Sequence, residues 1–119
     1  MRKIGLYISI NDTFDPELLK RFLHTRPEFF DLKEHLTNCP LQSDILYEND
    51  TSTMRLSDDC SFIWIYGTGP ATLRAVVLIQ RYLNIPLHLI DDGYNFSIVV
   101  DERTEPEDIV RKMKESVYE

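Results

Sequence analysis

The chain has 119 residues, of which 43% are hydrophobic and 28% are charged; these values are typical of one folded domain and exclude a mainly disordered chain. Its 20 acidic residues outnumber its 13 lysines and arginines, and the formal net charge is -7. This charge repels phosphate groups, so it disfavours nucleic acid and anionic membranes as partners and favours a basic protein. We expect residues 1–119 to form a single domain.

The N-terminal residues and the cysteines predict the compartment. The apolar run over 4–10 is too short for a signal peptide, and no segment of the sequence has the length needed to cross a bilayer. Cys39 and Cys60 are the two cysteines, and two cysteines in such a chain are typical of free thiols. The sequence therefore predicts a cytoplasmic protein.

The first third of the chain predicts one strand and two helices. Apolar residues alternate with other residues over 3–10, which is typical of a strand. A proline in the first helical turn predicts a helix over 16–24. A second helix is predicted from Thr25 to near Asn38, because Thr25 and Glu28 have the spacing of a capping box.

The middle of the chain predicts a hairpin and a central strand. Segments 44–48 and 53–56 flank the polar turn 49–52, as in two antiparallel strands. Segment 61–66 carries large apolar side chains at both even and odd positions. This pattern is typical of a strand that is covered on both faces.

The last half of the chain predicts a parallel crossover. Strand 61–66 is followed by an apolar helix over 71–83 and a strand over 87–90, so 61–90 forms a β-α-β unit, which is expected to be parallel and right-handed. A strand over 95–101 and a helix capped by Thr104 complete the chain. The sequence thus predicts a single-domain α/β fold with a mixed β-sheet of about five to six strands and three to four helices.

Acidic residues around the predicted hairpin are the first candidate site. They are Asp44, Glu48, Asp50, Asp58 and Asp59. Carboxylates on such a surface speed association with a basic protein and mimic phosphates. With the small size and the lack of a catalytic motif, they predict a non-catalytic protein without a cofactor that neutralises a basic partner. A nuclease-type toxin, bound as by an immunity protein or antitoxin, is the concrete version. The alternative is an ordinary solvated surface.

The loop before the apolar helix is the second candidate site. It contains Gly67, Thr68 and Gly69, and Arg74 follows one turn into the helix. Free N–H groups at a helix N-terminus favour an anion, so the loop predicts a small-molecule or phosphate-binding regulatory domain. The loop matches neither nucleotide-binding glycine motif. The alternative is a tight turn with Thr68 as the helix cap.

Three aspartates form the third candidate site. If the first strand runs parallel to strand 61–66, Asp12, Asp91 and Asp92 emerge at the same edge of the sheet. Carboxylates at one edge could hold Mg²⁺ and support a metal-dependent hydrolase or nuclease. The alternative is that these residues serve as turn and cap residues.

Overall fold

The computed structural model describes residues 5–91 and 97–117, which form seven strands and three helices. In chain order the elements are β1 (Gly5–Ser9), α1 (Pro16–His24), β2 (Phe29–Leu36), β3 (Cys39–Tyr47), β4 (Asp50–Leu56), β5 (Phe62–Tyr66), α2 (Pro70–Leu83), β6 (Leu87–Asp91), β7 (Ser97–Val100) and α3 (Pro106–Val117). Within these residues, no helix combines the length and the apolar character needed to span a membrane.

The strands of the described residues form one open sheet in the order β2-β3-β4-β5-β1-β6-β7, and every neighbouring pair is antiparallel. The prediction of a mixed sheet with about five to six strands is therefore wrong.

The two strands of the predicted β-α-β unit over 61–90 do not form a parallel pair, because another strand lies between them. β1 lies between β5 and β6 and is antiparallel to both. β5 and β6 therefore run in the same direction without pairing, and α2 carries the chain across β1 in a split β-α-β arrangement. The crossover helix determines the direction of the returning strand, but it does not determine which strand fills the gap.

The predicted second helix is also wrong, because its residues form β2. The side chain of Glu28 does not complete a capping box; its carboxylate accepts hydrogen bonds from Arg26 and Arg74. Asp31 and His35 have φ angles of 53° and 57°, which an α-helix does not contain. Pairing with β3 thus outweighs the local preference for a helix.

The predicted antiparallel hairpin is confirmed, and its strands are longer and its turn is tighter than predicted. β3 and β4 pair from Gln42 to Tyr47, and the turn consists of Glu48 and Asn49, with φ angles of 51° and 63°. Two successive residues with positive φ are typical of the turns that match the twist of a β-hairpin.

The helices pack on one face of the sheet. Leu6 and Ile8 of β1 are fully buried on that face, as are the two isoleucines of β5 and the two leucines of β6. Tyr66, on the opposite side of β5, is exposed, and Phe62 and Trp64 beside it are only partly buried. The prediction that strand 61–66 is covered on both faces is therefore wrong. We call the side opposite the helices the open face.

Candidate functional site

Aromatic side chains form the centre of the open face. Because side chains alternate along a strand, Tyr7 of β1 and Phe62, Trp64 and Tyr66 of β5 project to the same side. The rings of Tyr7 and Phe62 meet edge to face with centroids 5.3 Å apart, and those of Trp64 and Tyr66 meet at 3.9 Å. These four residues are the aromatic cluster, and such ring contacts contribute about 0.5–1.5 kcal/mol each beyond the area that they bury.

The position of Trp64 depends on the glycine opposite. A Cβ at Gly5 would collide with the indole Nε1 and would lie 2.7 Å from Cε2. The absence of a side chain at Gly5 therefore lets the indole lie against β1. The indole N–H is buried and has no hydrogen-bond partner in the part of the chain that the structure describes. The cluster is thus packed into the sheet surface rather than standing free of it.

A cleft adjoins the aromatic cluster towards β2. Phe30 faces Asp44, Asp44 faces Thr53, and the register of β4 with β5 places Tyr66 beside Thr53. These residues line a cavity of about 670 Å³ together with Thr51, Ser52 and Gly67. Thr53 Oγ1 donates a hydrogen bond of 2.9 Å to Asp44 Oδ1. We call this cavity the Phe30–Tyr66 cleft.

Polar side chains adjoin the aromatic centre of the open face on both sides. The register places Gln42 and Arg55 in a row with Trp64, and Ser9 and His88 in a row with Phe62. An aromatic centre with a polar rim is the usual composition of a protein-binding surface. The open face therefore has the chemical character of an interface.

The structure distributes the five predicted acidic residues over two ends of the sheet. Asp44 lies on the open face, Glu48 and Asp50 lie at the β3–β4 turn, and Asp58 and Asp59 lie in the β4–β5 turn. The seven residues of β4 separate the two turns by about 23 Å. One of the five acidic residues thus lies on the open face and the other four lie at the turns beyond its ends, so the five do not form one cluster.

Two of these carboxylates have local structural partners. Asp50 Oδ2 accepts a hydrogen bond of 2.9 Å from the backbone N–H of Ala71, in the first turn of α2. Asp59 Oδ1 accepts hydrogen bonds from the hydroxyl and backbone N–H of Ser61 and from the hydroxyl of Ser57. These hydrogen bonds lower the pKa of the Asp59 carboxyl, so it is charged at neutral pH.

The carboxylate of Asp50 lies beside the glycine loop that precedes α2. Gly69 is the N-cap of α2, and a Cβ there would lie 2.6 Å from Asp50 Oδ2. Thr68 is exposed and does not cap the helix, whereas Gly67 has a φ of 76° and lines the cleft on the open face. The position that an external anion would take at this helix end is therefore occupied by Asp50.

Arg74 is directed away from the loop towards a buried carboxylate. Its Nε donates to Glu28 Oε2 at 3.2 Å, and its guanidinium carbon lies 5.1 Å from the ring centroid of Tyr47. Burial by itself would raise the pKa of the Glu28 carboxyl, but hydrogen bonds from Arg26, the backbone and Arg74 outweigh it and hold the pKa below its ordinary value. This arrangement joins the segment before β2 to α2.

The three aspartates predicted to hold Mg²⁺ do not share one edge as far as they are described. Because β1 is antiparallel to β5 and β6, Asp12 follows the end of β1 where Ser9 pairs with His88, whereas Asp91 pairs with Leu6 near the other end. Asp92 lies outside the described residues. Among residues 5–91 and 97–117, no group of three His, Cys, Asp or Glu side chains is arranged to hold a metal ion.

The aromatic cluster was not predicted from the sequence, because the apolar pattern over 61–66 is typical of a strand covered on both faces. The pattern that could have identified it lies within β5, where three aromatic residues alternate with two isoleucines. Ile63 and Ile65 are fully buried beneath the helices, and the aromatic side faces outward. When all the rings of a strand lie on one side and all its aliphatic side chains on the other, the two faces of the strand have different surroundings.

Comparison with known proteins yields no relative from which a role could be transferred. No protein-family model, no curated protein and no solved structure matches the chain. The open face, its aromatic cluster and its flanking carboxylates are therefore the observations from which a function is derived.

Proposed function

We propose that this chain is a non-catalytic protein that binds and neutralises a basic protein, as immunity proteins and antitoxins do, and that the open face is its contact surface. The observation that carries the proposal is the aromatic cluster on a sheet face that the helices leave open. Tyrosine, tryptophan and phenylalanine are enriched at the centres of protein interfaces, where they contribute most of the binding energy.

The size of the open face is consistent with a stable complex. Seven strands span about 29 Å and a five-residue strand about 17 Å, which gives a flat area of about 500 Å². Stable complexes bury about 800 Å² on each partner. A partner that also contacts the turns at the ends of the sheet would reach this value.

Charge favours a basic partner. The chain carries -7, and the carboxylates of Glu48 and of Asp58 and Asp59 lie beyond opposite ends of the open face. Carboxylates near an aromatic centre steer a positively charged protein towards it and raise the association rate at low salt. Exposed rings on a sheet can also stack with single-stranded RNA, but the net charge opposes that partner.

The expected compartment is the cytoplasm. Cys39 and Cys60 are free thiols, which persist in a reducing environment.

Two matched double variants test the contact surface. Leu46→Ser with Tyr66→Ala removes side chains that are 48% and 36% exposed on the open face, whereas Tyr82→Ala with Ile85→Ser removes side chains that are each 40% exposed elsewhere. The wild-type chain is used to isolate a partner from its native cells, and the purified partner is titrated calorimetrically with all three proteins.

The expected partner is a basic protein that the wild type and the Tyr82 and Ile85 variant bind equally. The Leu46 and Tyr66 variant should bind it at least about 30-fold more weakly, because loss of a central aromatic side chain removes about 2 kcal/mol or more. Equal binding by the two double variants, an acidic partner, or single-stranded nucleic acid as the bound material would each contradict the proposal.

A further inference from the structure

We infer that the Phe30–Tyr66 cleft receives an arginine side chain of the basic partner, whose guanidinium group pairs with the carboxylate of Asp44 beside the aromatic lining of the cleft. This inference rests on the proposed function and adds to it the chemical group that the open face recognises. It is drawn from the register of four adjacent strands, the hydrogen bonding of Asp44 and the exposure of the two rings.

The strand register defines the shape of the cleft. Phe30, Asp44, Thr53 and Tyr66 lie side by side on β2, β3, β4 and β5. Neighbouring strands are about 4.8 Å apart, so the two aromatic residues are separated by about 14 Å at the backbone. The rings thus form two walls, and Asp44 and Thr53 form the floor between them. The cavity of about 670 Å³ is ample for one long side chain.

The floor of the cleft carries a negative charge with a fixed orientation. Thr53 Oγ1 donates to Asp44 Oδ1 at 2.9 Å, which holds the carboxylate group in one position. Asp44 makes no ion pair within residues 5–91 and 97–117, and Arg55 in the next row is not close enough to form one. An anion would be repelled here, and an apolar group would remove water from the carboxylate without replacing its hydrogen bonds. A cation avoids both penalties, because the carboxylate attracts it and its N–H groups replace the hydrogen bonds that water made.

The walls of the cleft favour a planar cation. Phe30 and Tyr66 are 45% and 36% exposed, and a cation near an aromatic ring is attracted by the π-electrons. The guanidinium group of arginine stacks on rings and donates parallel hydrogen bonds to a carboxylate, which the compact ammonium group of lysine does not. Arginine therefore matches the walls and the floor at once.

The test uses the full chain with small arginine probes and no partner. Backbone amide shifts of the ¹⁵N-labelled protein are followed by NMR during titration with acetyl-arginine-methylamide and, separately, with the neutral isostere acetyl-citrulline-methylamide. The arginine probe should shift the amides of Phe30, Asp44, Thr53 and Tyr66 with a Kd on the order of 10 mM. The citrulline probe should leave these amides unchanged at the same concentrations.

Two variants complete the experiment. Asp44→Asn keeps an acceptor for Thr53 but removes the charge, so it should weaken binding of the arginine probe about fivefold. Glu102→Gln removes an exposed charge that follows β7, at the opposite edge of the sheet from β2, and should leave the Kd unchanged. The amide spectra of both variants show directly whether each is folded.

The inference is overturned if the arginine probe shifts no cleft amides, if citrulline shifts them equally, or if Asp44→Asn binds as the wild type does. These results do not depend on the partner. A negative titration combined with weak partner binding by the Leu46 and Tyr66 variant refutes the arginine site alone. Equal partner binding by the two double variants refutes the proposed function, whatever the arginine probe does.

Discussion

A carboxylate on a neighbouring strand caps helix α2, and the glycine beneath it should be energetically coupled to it. Gly69 is the N-cap of α2 but provides no side-chain hydrogen bond, and Asp50 Oδ2 accepts from Ala71 N instead. The backbone of Gly69 has φ -83° and ψ -174°, an extended conformation that any residue adopts. A Cβ at Gly69 would nevertheless lie 2.6 Å from Asp50 Oδ2. Glycine therefore leaves room here for the carboxylate, which a Cβ would displace.

The size of each effect follows from the contacts that each variant removes. Asp50→Ala eliminates a capping hydrogen bond and a negative charge at the helix N-terminus, and should lower the free energy of unfolding by about 1.5 kcal/mol. Gly69→Ala displaces the carboxylate and should lower it by about 1 kcal/mol. Once Asp50 is alanine, the added methyl group has no carboxylate to displace. The double variant should therefore lose about 1 kcal/mol less than the sum of the single losses.

Urea unfolding followed by the fluorescence of Trp64, the single tryptophan, measures all four free energies. Asp58→Ala provides the matched control, because Asp58 is an exposed aspartate at the opposite end of β4. Its effect should add to that of Gly69→Ala within about 0.5 kcal/mol. If Asp50→Ala and Gly69→Ala are additive within the same margin, the carboxylate does not occupy the space above Gly69, and the explanation of the capped helix is refuted.

Three further predictions concern Glu28, Cys60 and Asn84. Because the folded pKa of the Glu28 carboxyl is below its ordinary value of 4.5, its stabilising effect is present above that pH and is lost as the pH falls through the folded pKa. Glu28→Gln should lower the free energy of unfolding by about 1.5–3 kcal/mol at neutral pH, and urea titrations in acid should show a smaller difference; a difference independent of pH would contradict this. Burial and the charge of Asp59 raise the pKa of the Cys60 thiol, so iodoacetamide should alkylate it more slowly near neutral pH than a cysteine in an unfolded peptide, and equal rates would be inconsistent with the structure. Asn84 ends α2 with a φ of 57°, so Asn84→Gly should stabilise the fold by about 0.5 kcal/mol and Asn84→Ala should destabilise it by a similar amount, whereas the reverse order in urea titrations would argue against this cap.

The sequence predicts the elements that depend on local contacts. Asp15 accepts hydrogen bonds from the backbone N–H groups of Glu17 and Leu18, as expected of a residue that precedes a proline-initiated helix. The helix over 71–83 and the strand over 87–90 lie within α2 and β6 almost to the residue. In these segments, side-chain spacing and helix caps point to the same structure.

The errors arise where distant pairing decides the structure. Segment 29–36 contains large apolar residues that fit either a helix or a strand, and its pairing with β3 selects the strand. β1 pairs with β5 and β6, which are both far from it in sequence. Local sequence patterns do not indicate which distant strands pair. The predicted shared edge for Asp12 and Asp91 assumed that the first strand runs parallel to strand 61–66, whereas the two strands are antiparallel.

Strand geometry also disperses the acidic residues of the candidate site and gathers its aromatic residues. The five acidic residues are close in sequence, but β4 is long enough to carry Glu48 and Asp58 to opposite ends of the sheet. Proximity in sequence therefore overstates clustering on a β-hairpin, where an extended chain moves about 3.3 Å per residue. The aromatic residues show the converse, because strand pairing gathers Tyr7 and Trp64 from distant parts of the chain.

The open face links the stability of the fold to its proposed binding role. The helices that pack on the sheet cover the face of Ile63 and Ile65, and no second layer of residues 5–91 and 97–117 covers the opposite face. Ring contacts within the aromatic cluster supply order at that surface, and Gly5 allows Trp64 to lie against the strand. Rings that are already packed lose little conformational entropy when a partner covers them, and this loss is a large part of what opposes association. A surface that the fold orders in advance is therefore also one that a partner can bind tightly.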